Sequence, residues 1–134
     1  MRNLKFRFYA KKSKKFITLP RVWMRENGEL NYDYEGEDLI VNQWTGLLDK
    51  NGMEIYEGDI LNSDYKPIET YEFSWYERGI VKYYPVFARF GLEFYSPFGG
   101  EGYTGKEQHI SDYIKDWDLI GNVYENPELL NKEN

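Results

Sequence analysis

The stretch Thr45-Gly46-Leu47-Leu48-Asp49-Lys50-Asn51-Gly52-Met53-Glu54-Ile55-Tyr56-Glu57-Gly58-Asp59-Ile60-Leu61 decides the fold. Apolar residues flank an Asp-Lys-Asn-Gly loop, in which Asp49 can accept from the backbone ahead of it and Gly52 tolerates positive φ. Glu57-Gly58-Asp59 repeats the device before Ile60-Leu61 resumes an apolar run. The reading is a β-hairpin, a second tight turn and another strand. Asp49, Glu57 and Asp59 are expected to bond backbone N–H groups and so to set strand register.

Outward from that stretch, the chain suits one domain of 134 residues. An aromatic share of 19%, with 13 Tyr, 8 Phe and 4 Trp, argues for a packed, β-rich fold despite a polar mean hydropathy. The chain has no cysteine, which excludes a disulfide framework, a thiolate metal site and a thiol nucleophile. No apolar run approaches the roughly 18–20 residues that span a bilayer, and charges recur where a signal peptide needs an apolar stretch. A cytoplasmic location is therefore expected, with no membrane partner.

Charge is distributed unevenly. Residues 1–25 hold nine Lys or Arg and no acid, whereas the rest of the chain holds eight basic and all 23 acidic residues. A basic first hairpin lying beside an acidic body would balance this internally.

Leu4-Lys5-Phe6-Arg7-Phe8-Tyr9 alternates as a half-buried strand with Leu4, Phe6 and Phe8 inward. Lys11 to Lys15 form a polar turn, Phe16 to Leu19 return, and Pro20 ends the strand or places it on an edge. Val22-Trp23-Met24 reads as a short strand or a helical turn, and Asn27-Gly28 as a turn. Residues 31–38 read as an exposed acidic loop, and Leu39-Ile40-Val41 as a buried strand. Further strands are expected over Tyr71–Tyr76, Gly79–Tyr84, Val86–Tyr95 and Trp117–Tyr124, with Ser96–Lys106 a glycine loop. His109–Lys115 reads as a short helix, and Asn126-Pro127-Glu128 as the start of another. Many short strands with tight turns predict a mainly β, mainly antiparallel barrel or sandwich.

No catalytic constellation stands out. Gly100 to Lys106 has the glycine–lysine spacing of a phosphate loop, but Glu107 replaces the metal-binding hydroxyl and βαβ units are lacking. It reads as a surface loop, and no nucleotide or cofactor is expected. His109 with Asp112, Asp116 and Asp118 lacks calcium-loop spacing and reads as a solvated acidic face rather than a metal site. A Ser–His pair would have to use His109, without a nucleophile-elbow sequence. Glu54, Glu57 and Asp59 offer paired carboxylates, better read as turn-fixing groups. Lys5, Arg7, Lys11, Lys12, Lys14 and Lys15, with Tyr9 and Phe16 among them, are the residues that would meet an anionic partner. The acidic body and a pI near 4.9 disfavour nucleic acid.

Gly46, Asp49, Gly52, Tyr56, Glu57, Gly58 and Asp59, together with Gly121, Asn122, Asn126 and Pro127 in Ile120–Leu129, resemble the motifs of the YopX family. The basic, aromatic opening Leu4–Arg7 resembles it too. The resemblance implies a small SH3-like barrel with additional strands, residues 1–30 forming a basic N-terminal region. The core would then be residues 39–134, with 62–115 an insertion that the motifs do not cover. It also implies a phage or prophage origin, and it implies no activity. Thirteen tyrosines cannot all be fully buried in a domain this size, so an amphipathic surface suited to a protein partner or to self-association is expected. The reading is a non-enzymatic binding or assembly module. A nucleic-acid accessory protein is the alternative, and a small hydrolytic enzyme ranks third.

Overall fold

The computed structural model of the protein describes residues 3–18, 20–63, 78–95, 101–103, 111 and 114–130. The fold is mainly β, as expected. Five short strands fill the first half: β1 (Phe6–Ala10), β2 (Lys15–Ile17), β3 (Arg21–Met24), β4 (Leu30–Asp33) and β6 (Glu54–Tyr56), with the ten-residue β5 (Leu39–Leu48) between the last two. The second half holds β7 (Asp59–Ser63), β8 (Arg78–Tyr84), β9 (Arg89–Tyr95), β10 (Glu101–Tyr103) and β11 (Trp117–Asn122). The strands form a four-stranded sheet β2-β1-β5-β6, a five-stranded sheet β10-β9-β8-β7-β11 and a separate β3-β4 hairpin, and the pairings among described residues are antiparallel.

Two apolar clusters hold these layers. Ile55, Leu61, Val81, Leu92 and Ile114, with Leu47, Phe90, Trp117 and Leu119 against them, draw on both large sheets. Phe8, Ala10, Ile17 and Leu39, with Phe6, Tyr32, Tyr34 and Val41, lie between the first sheet and the β3-β4 hairpin. Strand β5 serves both: Leu39 and Val41 enter one cluster and Leu47 the other. Its register with β6 shifts between Trp44 and Leu48, where Gly46 takes φ +84°. An extra residue in one strand bends it, which is how one strand reaches two cores. Ile55, Ile60, Leu61 and Leu92 are fully buried, each stabilising the fold by about 1.5–3 kcal/mol.

Several expectations need correction. Leu4 is exposed and precedes β1, whereas Tyr9 and Ala10 are buried. Residues 31–33 of the expected acidic loop belong to β4 instead, because Tyr32 has an apolar cluster to cover. Val86–Tyr95 is not one strand: Pro85–Phe87 make a 3-10 turn closed by Ala88 N–H to the Pro85 carbonyl, and β9 begins only at Arg89. The glycine segment contains β10, paired with β9. The closing strand ends at Asn122, and Pro127–Leu130 is a single 3-10 turn. Of the helix expected over His109–Lys115, Ser111, Ile114 and Lys115 are described, and Ile114–Asp116 form a 3-10 turn with Ile114 buried. Tyr71–Tyr76 and His109 lie outside the described residues.

The Glu57-Gly58 segment is the expected second tight turn, followed by the expected strand. It joins β6 and β7, which belong to different sheets, so it is the corner where the chain crosses between layers.

Candidate functional site

The motif residues gather at two joints between the large sheets. At the first, Asp49 follows β5 and its Oδ1 accepts from Asn51 N–H and Met53 N–H, each at 2.8 Å. Oδ2 accepts from Leu119 N–H of β11 at 2.9 Å. One carboxylate thus closes its own loop and fastens that loop to the other sheet. Burial pushes its pKa up, but the Leu119, Met53 and Asn51 donors outweigh this and hold it below the ordinary value. Asn51 Nδ2 to Asp118 at 2.7 Å and Lys50 N–H to the Trp117 carbonyl at 3.0 Å run alongside. Gly52 supplies the positive φ of +81°.

The second joint is centred on Asp59, whose residue exposure is 1%. Oδ2 accepts from Tyr56 N–H at 2.8 Å, while Oδ1 meets the Arg7 guanidinium at 2.6 Å. Arg7 continues to the Glu57 carbonyl at 3.0 Å and Asn42 Oδ1 at 3.3 Å, and it lies over the rings of Phe16 and Tyr56. Asn42 passes a hydrogen bond on to the Tyr124 hydroxyl at 2.8 Å, and Tyr124 stacks on Tyr9. Burial pushes the Asp59 carboxyl up, with Arg7 and the Tyr56 N–H pulling against it. Tyr56 itself is pushed up, first by burial and then by the Glu54 charge. Glu57 Oε1 accepts from Gln43 N–H at 2.9 Å. All three turn acids therefore bond backbone donors, as the sequence suggests for residues beside turns.

Gly58 sits at the centre of this joint with φ +83°. A Cβ there would lie 3.2 Å from the Tyr124 ring and 3.3 Å from its hydroxyl. Its N–H meets the Val81 carbonyl and its carbonyl takes Val123 N–H, so the corner is pinned to β8 and to the end of β11. The C-terminal motif closes over it. Asn122 Oδ1 accepts from Tyr124 and Glu125 N–H, and Asn126 Oδ1 accepts from Asn122 N–H. Gly121 is required by proximity, because a Cβ would stand 2.6 Å from Asn126 Oδ1. The Asn126 side chain thus turns back to β11. Pro127 opens the 3-10 turn that follows.

The basic residues part company. Arg7 is held inside the second joint. Lys5 pairs with Glu54 at 3.2 Å and lies over Trp44, Lys11 meets Asp38 at 3.5 Å, and Lys12 reaches the Gly36 carbonyl. Lys14 and Lys15 are exposed and make no ion pair among the described residues. The structure thus does not bring the six together as one open cationic face. Among the described residues no group of three His, Asp or Glu is placed to hold a metal ion. None of their helices is long and apolar enough to cross a membrane.

The surface that sequence reading passed over is the β3-β4 hairpin. Strand β3 is exposed at all four positions, with Trp23 42% and Met24 66% exposed. Register pairs Val22 with Tyr32 and Met24 with Leu30. Directly opposed residues share a face, so Val22 and Met24 extend the core-facing side of β4 beyond the core that Tyr32 covers. Trp23 lies on the opposite face under the Arg21 guanidinium, 5.1 Å from the ring centre. The available signal was Pro20 followed by three apolar residues between Arg21 and Arg25, a pattern that fits an edge strand with charged ends.

Comparison with known proteins follows the same lines. No curated protein matches. The crystal structure of protein EF1440 from Enterococcus faecalis is similar, with 26% identity and a TM-score of 0.59 over 96% of this chain and 99% of that one. The family model described as YopX protein matches residues 5–131, which takes in both joints and the hairpin, and the chain belongs to the YopX family.

Proposed function

We propose that this chain is a non-enzymatic protein-binding or assembly module, encoded by a phage or prophage and working in the host cytoplasm. The observation that carries the reading is β3, where Val22, Trp23 and Met24 stand exposed in a row at a strand edge. Aromatic and methionine side chains around an open edge are the composition that protein interfaces favour. The acids that looked available for chemistry are engaged instead: Asp49 by three backbone donors, Asp59 by Arg7 and Tyr56 N–H, Glu57 by Gln43 N–H. The phage setting and the location rest on the family likeness alone.

The nucleic-acid alternative loses its best residue, since Arg7 faces Asp59, and it would rest on Lys14 and Lys15. The test is affinity capture from infected host cells with wild-type protein and Trp23→Ala, alongside light scattering of both at low and high salt. Wild-type protein should retain a protein partner, or associate with itself, and Trp23→Ala should lose that. Equal capture and equal mass for the two forms would overturn the reading.

A further inference from the structure

We infer that Asn27 is a site of spontaneous covalent modification. In the folded protein its side-chain amide cyclises onto the Gly28 nitrogen and hydrolyses to aspartate and isoaspartate, while the matching pair Asn51-Gly52 is held back by Asp118. The inference is independent of what β3 meets.

The chemistry needs an asparagine followed by a residue without a side chain, where solvent can reach it. Asparagine precedes glycine twice in the chain, at 27 and at 51. Base from neutral or mildly alkaline water takes the Gly28 N–H proton, and the nitrogen attacks the Asn27 side-chain carbonyl carbon. The new C–N bond closes a succinimide ring as ammonia leaves with a proton from solvent. Water then opens the ring at either carbonyl and leaves aspartate or isoaspartate. A Cβ on the second residue would crowd the attacking nitrogen, and the space beside both glycines is open.

The sequence makes the two sites alike, and the structure separates them. In each turn the glycine N–H carries one backbone bond, Gly28 to the Arg25 carbonyl at 2.9 Å and Gly52 to the Asp49 carbonyl at 3.1 Å. The carboxamides differ. Asn27 is exposed and its Oδ1 accepts from Glu29 N–H at 3.0 Å, which folds the side chain back over the Gly28 peptide and towards the nucleophile. Asn51 Nδ2 donates instead to Asp118 on β11 at 2.7 Å, which draws its carboxamide away from Gly52. That bond to a carboxylate has to be given up before a ring can close, and the acid so formed would face Asp118 as a like charge.

The surroundings act in the same direction. The bonds of the Asn27 turn stay within the hairpin, from Arg25 to Glu29, Gly28 to Arg25 and Asn31 to Glu29. Those of the Asn51 turn reach the other sheet at Trp117 and Leu119. The first turn can therefore deform locally, and the second cannot do so without loosening the joint. Reaction at Asn27 sets a new carboxylate between Glu26 and Glu29. Isoaspartate also routes the main chain through the former side chain, adding a carbon to the turn that fixes the register of β3 on β4.

The test is incubation of the full chain at mildly alkaline pH, with conversion at each site followed by peptide mass spectrometry. Labelling by an isoaspartyl carboxyl methyltransferase identifies the isoaspartate. In folded protein Asn27 should convert about tenfold or more faster than Asn51, because a hydrogen bond to a charged group protects only the second. In guanidinium chloride the two rates should draw together. Asp118→Ala, verified as folded by circular dichroism, should speed conversion of Asn51 and leave Asn27 unchanged. An Asn27 that stays intact in folded protein while the denatured chain reacts would overturn the inference. So would an Asn51 that converts as fast, a ratio unaltered by denaturation, or a folded Asp118→Ala protein in which Asn51 stays protected.

Discussion

The Arg7–Asp59 joint and the β3-β4 hairpin use residues in opposite ways. At the joint, polar and charged groups are buried and bonded in place: Asp59, Asn42 and Asp49 are buried, and each has partners within hydrogen-bonding distance. On the hairpin, apolar groups are exposed and uncovered. Burying a charge without a partner costs several kcal/mol, so the joint's members are interdependent and belong to the fold. Trp23 and Met24 are exposed and belong to neither apolar cluster, so they add little to the fold. Conspicuous motif residues build the protein, and an inconspicuous apolar run is left exposed on β3, where the proposed partner would meet it.

The largest effect should come from breaking the ion pair on one side. Arg7→Ala leaves Asp59 buried without its cation and should cost about 3 kcal/mol in urea unfolding, at the low end for a buried pair because the Arg7 side chain is 20% exposed. Burial already raises the Asp59 pKa, and losing Arg7 removes the pull against it. The deficit should therefore shrink as pH falls through that raised pKa and Asp59 takes up a proton. Arg7→Met combined with Asp59→Asn should recover much of the loss. An Arg7→Ala protein as stable as wild type would remove the joint from the account.

Gly58 comes next. Left-handed backbone costs a non-glycine residue about 1–2 kcal/mol, and the Tyr124 contact adds to it. Gly58→Ala should lower the urea midpoint accordingly, and the β-branched Gly58→Val should unfold the domain. A well-folded Gly58→Val protein would contradict this.

Asp49 offers a smaller effect with its own pH signature. Its lowered folded pKa means that its contribution is present above the ordinary aspartate value of about 3.9 and is lost as pH falls through the folded pKa. Asp49→Asn should be less stable than wild type at pH 7, by about 1–2 kcal/mol, and the two should converge in strong acid. A gap that is constant with pH would mean that the charge contributes nothing.

The smallest effect on stability is expected on the hairpin. Trp23→Ala and Met24→Lys should change unfolding free energy by no more than about 0.5 kcal/mol, while changing association most. A Met24→Lys protein that loses stability as Arg7→Ala does would erase the contrast between the two regions.

Much of this was legible in the sequence because it rests on local rules. Asp49, Gly52 and Gly58 announce turns through side-chain acceptors and positive φ, alternation located β1, and apolar runs between turn signals located β8 and β11. What was not legible depends on what comes to lie beside what. Arg7 is one basic residue among nine in the opening stretch, and only the fold sets it against Asp59, 52 positions on. Asn42 gave no signal, since its role is to bridge Arg7 and Tyr124. Glu57-Gly58 has the sequence of a tight turn, and local geometry does not say that its two strands join different sheets. Val22-Trp23-Met24 reads as a short strand or a helical turn, and its exposure is decided by how far β4 reaches over the second cluster.

Hydrogen exchange followed residue by residue tests the contrast most directly. The amides of Met53, Tyr56 and Leu119, which donate to Asp49 and Asp59, should be protected. The amides of Val22 and Met24, which alternate with the hydrogen-bonded positions of the β3-β4 ladder and face outward, should exchange rapidly in the isolated protein. Slow exchange of Val22 and Met24, or joint amides that exchange as fast as theirs, would contradict the account.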